Sequence, residues 1–467
     1  MIELNPEFKC EKTYKELNPL IRDILDTRKD DGTFQSKAFL QFDEFENLLF
    51  NHLFEKTNLK NELNNLKISF ESIPYLNILK KIDYDDNYFE KFIELLNDDI
   101  NRLRNLNLKE YSFLFPLNIK ELKCEETSGL TGERLKFVKN KCETLDIFEK
   151  IMEPFDIQSI EKKNHYNEKI MDYDKLSGNE KILDIVSCYQ GKVLKISCDA
   201  RDSTYAWNRA NFRFESFLGL LSFICNRFRL RRSKGRNIDF RFFKVKTGTP
   251  FMFDDESDIS YKFFLDEDDS EEFKRELSEL TLIDLDSDLE IRSYSKICNH
   301  FHDIIKGIEN SKLLEVLYGA FSLYYLATSE KKLEYSFFKF WIISEYLIKG
   351  SSKRKDEELL RLIKRIVKFY KKDELLNKRI DFLYKKRNKL VHEGETDSIQ
   401  QDDRNLSKLI ADCLLDFYLY SIYHFKVNNL NDFNFLITNI GKEANNLDND
   451  LKILDQIKEW KNPKVLR

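Results

Sequence analysis

Phe337-Phe338-Lys339-Phe340-Trp341-Ile342-Ile343-Ser344-Glu345-Tyr346-Leu347 decides the fold class of this chain. Its apolar residues recur every three or four positions, the period of a helix with one buried face. Phe338, Trp341, Ile342, Glu345 and Ile348 share that face. A carboxylate inside an apolar stripe is costly unless a cation or hydrogen-bond donor meets it. Glu345 therefore needs a partner on a neighbouring helix. The helix is expected over Leu333–Lys349, with Gly350 in the position that ends it.

Working outward, the same periodicity predicts helices over Ser311–Thr328, Glu357–Tyr370, Leu375–His392 and Arg404–Phe425. The connections between them are short, so neighbours should run antiparallel. The expectation is a four-helix bundle with one inserted helix over 305–426, followed by a polar tail, 427–467, with a possible helix at Leu451–Trp460. Residues 1–150 read as a mostly helical region, with segments such as Phe42–Leu66 and Tyr88–Leu106, and suit a sensor or regulator. Residues 151–304 read as an α+β middle domain: a strand at Lys192–Cys198, a long helix over Asp202–Arg229 and a second strand at Ile238–Val245. The fold class is thus mainly α.

Composition narrows the function classes. The chain has 467 residues, 42% of them hydrophobic and 13% aromatic, too apolar for a disordered protein. Its 13 Gly and 7 Pro are few enough to favour long helices. The formal net charge of −5 excludes a general coater of nucleic acid, so any such contact must be a local patch or cleft. Eight cysteines stand singly with no C-x-x-C pair, which indicates neither a zinc site nor a redox motif and fits a reducing compartment. The start, Met1-Ile2-Glu3-Leu4-Asn5-Pro6, lacks a signal-peptide pattern, and the apolar run at Phe214–Cys225 is too short and broken to span a bilayer. A cytoplasmic protein with no membrane partner is expected. Nucleotide cradles, G-x-S-x-G and H-E-x-x-H are absent, and no cofactor is implied.

One run carries chemistry: Arg387-Asn388-Lys389-Leu390-Val391-His392, closing a helix just before Gly394. A histidine can move protons to and from a ribose 2′-OH or a leaving oxygen near neutral pH. An arginine, always charged and fork-shaped, can hold a phosphate whose negative charge grows. No metal is required. On an ideal helix Arg387 sits about 140° around from His392, so convergence needs a loosened last turn or a second subunit. The spacing alone also fits an ordinary helix end, where a cation answers the helix dipole. Arg387, however, follows Ile380, Leu383 and Tyr384 on an apolar face, which makes it the candidate partner for Glu345. A structural ion pair without chemistry accounts for that pairing too.

Three pieces together, the aromatic helix carrying Glu345, the run Arg387–Gly394 and the helix that follows, resemble the Apea-like HEPN family over about 311–425. Its R-x4-6-H motif falls on Arg387 and His392, its polar residue after the arginine on Asn388, and its acid on Glu345. The resemblance implies a metal-independent endoribonuclease, a homodimer through the HEPN domain, an RNA substrate, and 2′,3′-cyclic phosphate and 5′-OH products. It also implies a toxin or antiphage setting that halts growth, and hence a trigger or restraining partner that the sequence does not identify. The basic insert Ser352–Lys372 departs from the pattern and reads as a surface helix. The alternatives are a catalytically silent HEPN scaffold, or a metal-dependent nuclease.

The second alternative would use the acidic run 254–272, where clustered carboxylates can hold a divalent cation. A solvated connector explains the same run, since calcium-loop spacing is missing. A basic cluster, Arg229, Arg231, Arg232, Lys234 and Arg236, can track a nucleic-acid backbone or simply close the long helix. His300 and His302 could supply metal ligands, but no second cluster accompanies them, and a polar helix start fits as well.

Overall fold

The computed structural model describes residues 12–29, 33–35, 42, 44–46, 48–49, 59–70, 73–82, 87–120, 131–159, 189–232, 243–247, 250–254, 275, 277–285, 289, 291–349, 355–371, 374–394, 396 and 398–461. It is mostly helical, with one small sheet. The acidic run 255–272 and the basic residues Lys234 and Arg236 lie outside the described residues.

Two separate cores hold the described chain. The smaller is built by α1 (Lys12–Leu25), α2 (Leu59–Leu66), α3 (Tyr75–Lys80) and α4 (Tyr88–Arg104) around Phe45, Phe89 and Phe92. Arg201 bridges it to the rest of the chain: its side chain donates to the carbonyls of Leu66 and Leu106, and its own N–H reaches that of Lys67. Asp202 accepts from the Ser69 N–H at 2.8 Å.

The larger core runs from Tyr111 to Ile440. Its sheet has the order β2-β3-β1-β4, all neighbours antiparallel, from β1 (Lys109–Lys120), β2 (Ile157–Ser159), β3 (Gly191–Ala200) and β4 (Phe251–Asp254). β3 and the long helix after it match the sequence reading. β1 does not, since 1–150 read as mostly helical. Along it Tyr111, Phe113, Phe115, Leu117 and Ile119 alternate onto one face, a period-2 signal. Both faces are buried, which blurs that signal into one apolar run. Pro116 sits where the β1–β3 register shifts, the place a central strand tolerates proline. The strand expected at Ile238–Val245 falls partly outside the described residues, and its described part, 243–245, is irregular. α5 (Gly132–Met152) crosses the expected boundary at 150, and β1 before that boundary pairs with β3 after it.

α6 (Ser203–Arg232) lies between this sheet and the helices beyond. One side stacks Trp207 and Phe214 on Phe115. The other carries Ser216, Gly219 and Ser222, small enough for the backbone to touch α8 (Ser311–Ser329). A Cβ on Gly219 would stand 1.8 Å from the Phe321 carbonyl oxygen. Ser216 donates to the Tyr318 carbonyl, and the Ser222 and Thr328 hydroxyls are 2.8 Å apart.

From α8 the layers continue through α9 (Leu333–Lys349) to α12 (Gln401–Phe425), with α7 (Ser295–Lys306) alongside. α10 (Asp356–Lys371) and α11 (Glu374–Glu393) pack on α9 and α12. α10 is the expected insert, and it buries Leu359, Leu362, Ile363, Ile366 and Val367. It is therefore the expected surface helix, with one face packed into the core and the other exposed. α13 (Leu430–Asn439) and α14 (Ala444–Lys461) complete the chain. α13 starts on Asn429, whose side chain accepts from the Asp432 N–H. Among the described residues no helix is long and apolar enough to cross a membrane. Cys198, Cys225, Cys298 and Cys413 are buried and in no disulfide, while Cys142 is disulfide-bonded, a departure from eight single thiols.

Candidate functional site

Glu345 lies one helical turn after Trp341 on α9, so the indole and the carboxylate share a face. Trp341 Nε1 donates to Glu345 Oε1 at 2.7 Å. Arg387 reaches the other carboxylate oxygen from α11, with Nη2 3.2 Å from Oε2. Its Nη1 donates to Asn388 Oδ1 at 3.0 Å. The Arg387 and Glu345 side chains are only 13% and 12% exposed. Two opposite charges on apolar stripes of adjacent helices thus meet, which is how the fold meets the cost of burying either one.

A fifth group was not visible from the sequence. Asp356 opens α10 and brings Oδ2 to 3.9 Å from Arg387 Nη1. Its place in the first turn also answers the helix dipole. The guanidinium keeps spare capacity: Arg387 Nε is buried and has no hydrogen-bond partner among the described residues. An always-charged fork held on two sides, with a donor unmet, can take a further anionic oxygen.

His392 is placed differently. It sits on the last turn of α11, exposed, and makes no hydrogen bond or ion pair among the described residues. It lies five helical steps on from Arg387, about 140° in angle and roughly 7.5 Å in rise. Arg387, Glu345 and Asn388 are therefore brought together within one chain, and His392 stands exposed, well around α11 from Arg387 although one turn on from Asn388. The turn after His392 is fixed. Gly394 adopts φ +68°, a conformation that favours glycine. Lys386 then clamps the link to α12, donating to the Ser398 carbonyl and to Asp403 at 2.5 Å. Asp403 and Gln400 form the capping box that starts α12.

The remaining candidates lie elsewhere. Arg229, Arg231 and Arg232 occupy the C-terminal turns of α6. His300 packs against the Tyr423 ring. His302 contacts Glu153 and Asp303, and with Lys306 it holds the Glu153 carboxyl below the usual range, Lys306 contributing most. Among the described residues no three His, Cys, Asp or Glu side chains are grouped to hold a metal.

Trp341 and Asp356 are the two partners the sequence reading missed. The Trp341–Glu345 spacing of four carried a signal for the first. Nothing local could reveal the second, because it depends on how α10 returns over α11. No family model, no curated protein and no solved structure matches the chain.

Proposed function

We propose that the chain is a metal-independent endoribonuclease of the HEPN type, a restrained toxin or antiphage effector that cleaves RNA and halts growth. In this reading α8, α9, α11 and α12 are the family's bundle and α10 its insert. The observation that carries it is the clamped guanidinium: Arg387, held by Glu345 with Trp341 behind it and by Asn388 beside it, five residues before a histidine that has no partner among the described residues.

Arg387 would hold the scissile phosphate, and Asn388 would orient it. His392 would serve in proton transfer as the 2′-oxygen attacks phosphorus, the P–O5′ bond breaks and the leaving oxygen takes a proton. The products would be a 2′,3′-cyclic phosphate and a 5′-OH. Because Arg387 and His392 point to different sides of α11, a homodimer is part of the proposal. A two-fold axis near the α11 ends would set the Arg387 of one protomer across a groove from the partner's His392.

Purified wild type, Arg387→Ala and His392→Ala are incubated with total RNA, with and without EDTA, and the cut ends are identified. Cleavage by wild type in EDTA, leaving cyclic phosphate ends and lost in both variants, is expected. Variants that cut as well as wild type would place the chemistry elsewhere, and loss in EDTA would favour a metal-dependent nuclease. A silent scaffold is the second reading, favoured by the burial of the guanidinium under Glu345, Asn388 and Asp356. It requires that expression of wild type be no more toxic to cells than that of His392→Ala.

A further inference from the structure

The outward face of α11 is occupied by Lys378, Phe382, Lys385, Lys389 and His392, all exposed. Their spacing of four, three, four and three residues keeps them within about 40° either side of one line along the helix. The opposite face buries Leu376, Ile380 and Leu383 and carries Arg387 inward. Lys378, Lys385 and His392 make no ion pair or hydrogen bond among the described residues. Of the acids at the stripe's edges, Asp381 is paired with Lys364 of α10, and Glu393 stands exposed beside His392 at the helix end.

Two features set this face apart from a solvated one. Its charge is opposite in sign to that of the chain, which carries −5 overall. Phe382 also stands 55% exposed among the lysines, with Lys386 Nζ 4.7 Å from its ring centroid. A flat aromatic beside a row of point cations matches one polymer best: single-stranded nucleic acid offers phosphates to the cations and a π-face to the ring. A lipid surface would want a continuous apolar stripe, and an acidic protein has no use for a lone stacking ring.

We propose that this stripe is a binding track for single-stranded RNA. The strand lies along about 21 Å of helix from Lys378 to His392. Lys378, Lys385 and Lys389 contact phosphates, Phe382 stacks a base, and the strand is led to the His392 end. The destination rests on the ribonuclease reading; the binding does not.

The test separates the two by using a fluorescent 2′-O-methyl RNA oligonucleotide, which cannot supply an attacking 2′-OH. Anisotropy gives Kd across a salt series for the full-length protein. Three phosphate contacts predict a log–log salt slope of about −2. Lys378→Gln/Lys385→Gln/Lys389→Gln, three exposed and helix-compatible changes, should flatten that slope and weaken binding tenfold or more. Phe382→Ala should weaken it by roughly tenfold with the slope unchanged. Unaltered binding in the triple variant overturns the proposal. So does the absence of binding by wild type, or equal stripe-dependent binding to anionic vesicles or polyglutamate. Stripe-dependent RNA binding with no cleavage of ordinary RNA would uphold the track while removing the nuclease.

Discussion

Replacing Glu345 by Leu removes the only full charge among the described residues within 3.5 Å of the Arg387 guanidinium and strands the Trp341 indole N–H. Breaking a buried pair from one side costs about 3–5 kcal/mol, because an uncompensated charge remains. Both side chains keep slight exposure and Asn388 still accepts from Arg387, so the low end, about 3 kcal/mol, applies. Arg387→Leu leaves Glu345 its indole donor and should cost about 2–3 kcal/mol. The double variant strands no charge and should cost about 2 kcal/mol, well under the sum of the singles. The coupling energy is then about 3–4 kcal/mol. Urea unfolding followed by tryptophan fluorescence measures it, since Trp207 and Trp341 both belong to the larger core. Glu345→Gln keeps an acceptor for the indole and should fall between wild type and Glu345→Leu. A coupling below about 0.5 kcal/mol would refute the buried-pair argument and with it the idea that Glu345 positions Arg387.

Four further outcomes follow from the same structure. Gly219→Ala drives a methyl into the Phe321 backbone and should destabilise the larger core by about 1–3 kcal/mol, whereas Gly307→Ala, whose Cβ would meet nothing nearer than 3.2 Å, should stay within about 0.5 kcal/mol in thermal unfolding. Lys408 and Asp412, side chains 1% and 6% exposed and joined at 2.7 Å, should lose about 3–5 kcal/mol on Asp412→Leu and recover much of it in Lys408→Met/Asp412→Leu, read by the same urea curves. The Glu330 carboxyl lies below its usual range because of Lys339 first and the Lys332 N–H second; its stabilisation is therefore present above the unfolded carboxylate pKa and lost as pH falls through the lower folded value, so the stability of Glu330→Gln should fall less steeply than wild type on acidification. Asp356 competes with any anion for Arg387, so Asp356→Asn should raise the initial rate of RNA cleavage; a lower rate would mean that Asp356 supports Arg387 rather than masking it.

Legibility in the sequence did not track burial alone. α10 and α11 turn one apolar stripe inward, while α8 and α12 are buried on most sides, yet the spans of α8 to α12 all agree with the sequence reading to within three residues. α6 was legible as a helix, but its place was not. With Trp207 and Phe214 on the sheet side and Ser216, Gly219 and Ser222 against α8, it is buried all round and gives no single stripe to read. β1 was lost for the same reason in the other periodicity. α13 hid in an Asn-rich stretch, although Asn429 is a good cap. At the candidate site, Glu345 and Arg387 were legible because each is a charge in an apolar stripe. Asp356 stands on no such stripe, and only the path of α10 brings it near.

The two faces of α11 divide the proposed work in a way that favours a dimer over a rearranged monomer. Turning His392 toward Arg387 within one chain would require unwinding the last turn. That turn is fixed by the left-handed Gly394, by Lys386 on Ser398 and Asp403, and by the capping box of α12. Freeing Arg387 instead would leave Glu345 with its indole donor but no cation, at about 2–3 kcal/mol. Neither charge needs to move if a second copy supplies the missing group, and the exposed Val391 and His392 at the helix end are the residues such a copy would meet first. An isologous contact there repeats each approach twice, so a single substitution at Val391 acts on both halves of the interface. Monomeric behaviour with full RNA-cleaving activity would leave the helix-end geometry without a route to chemistry.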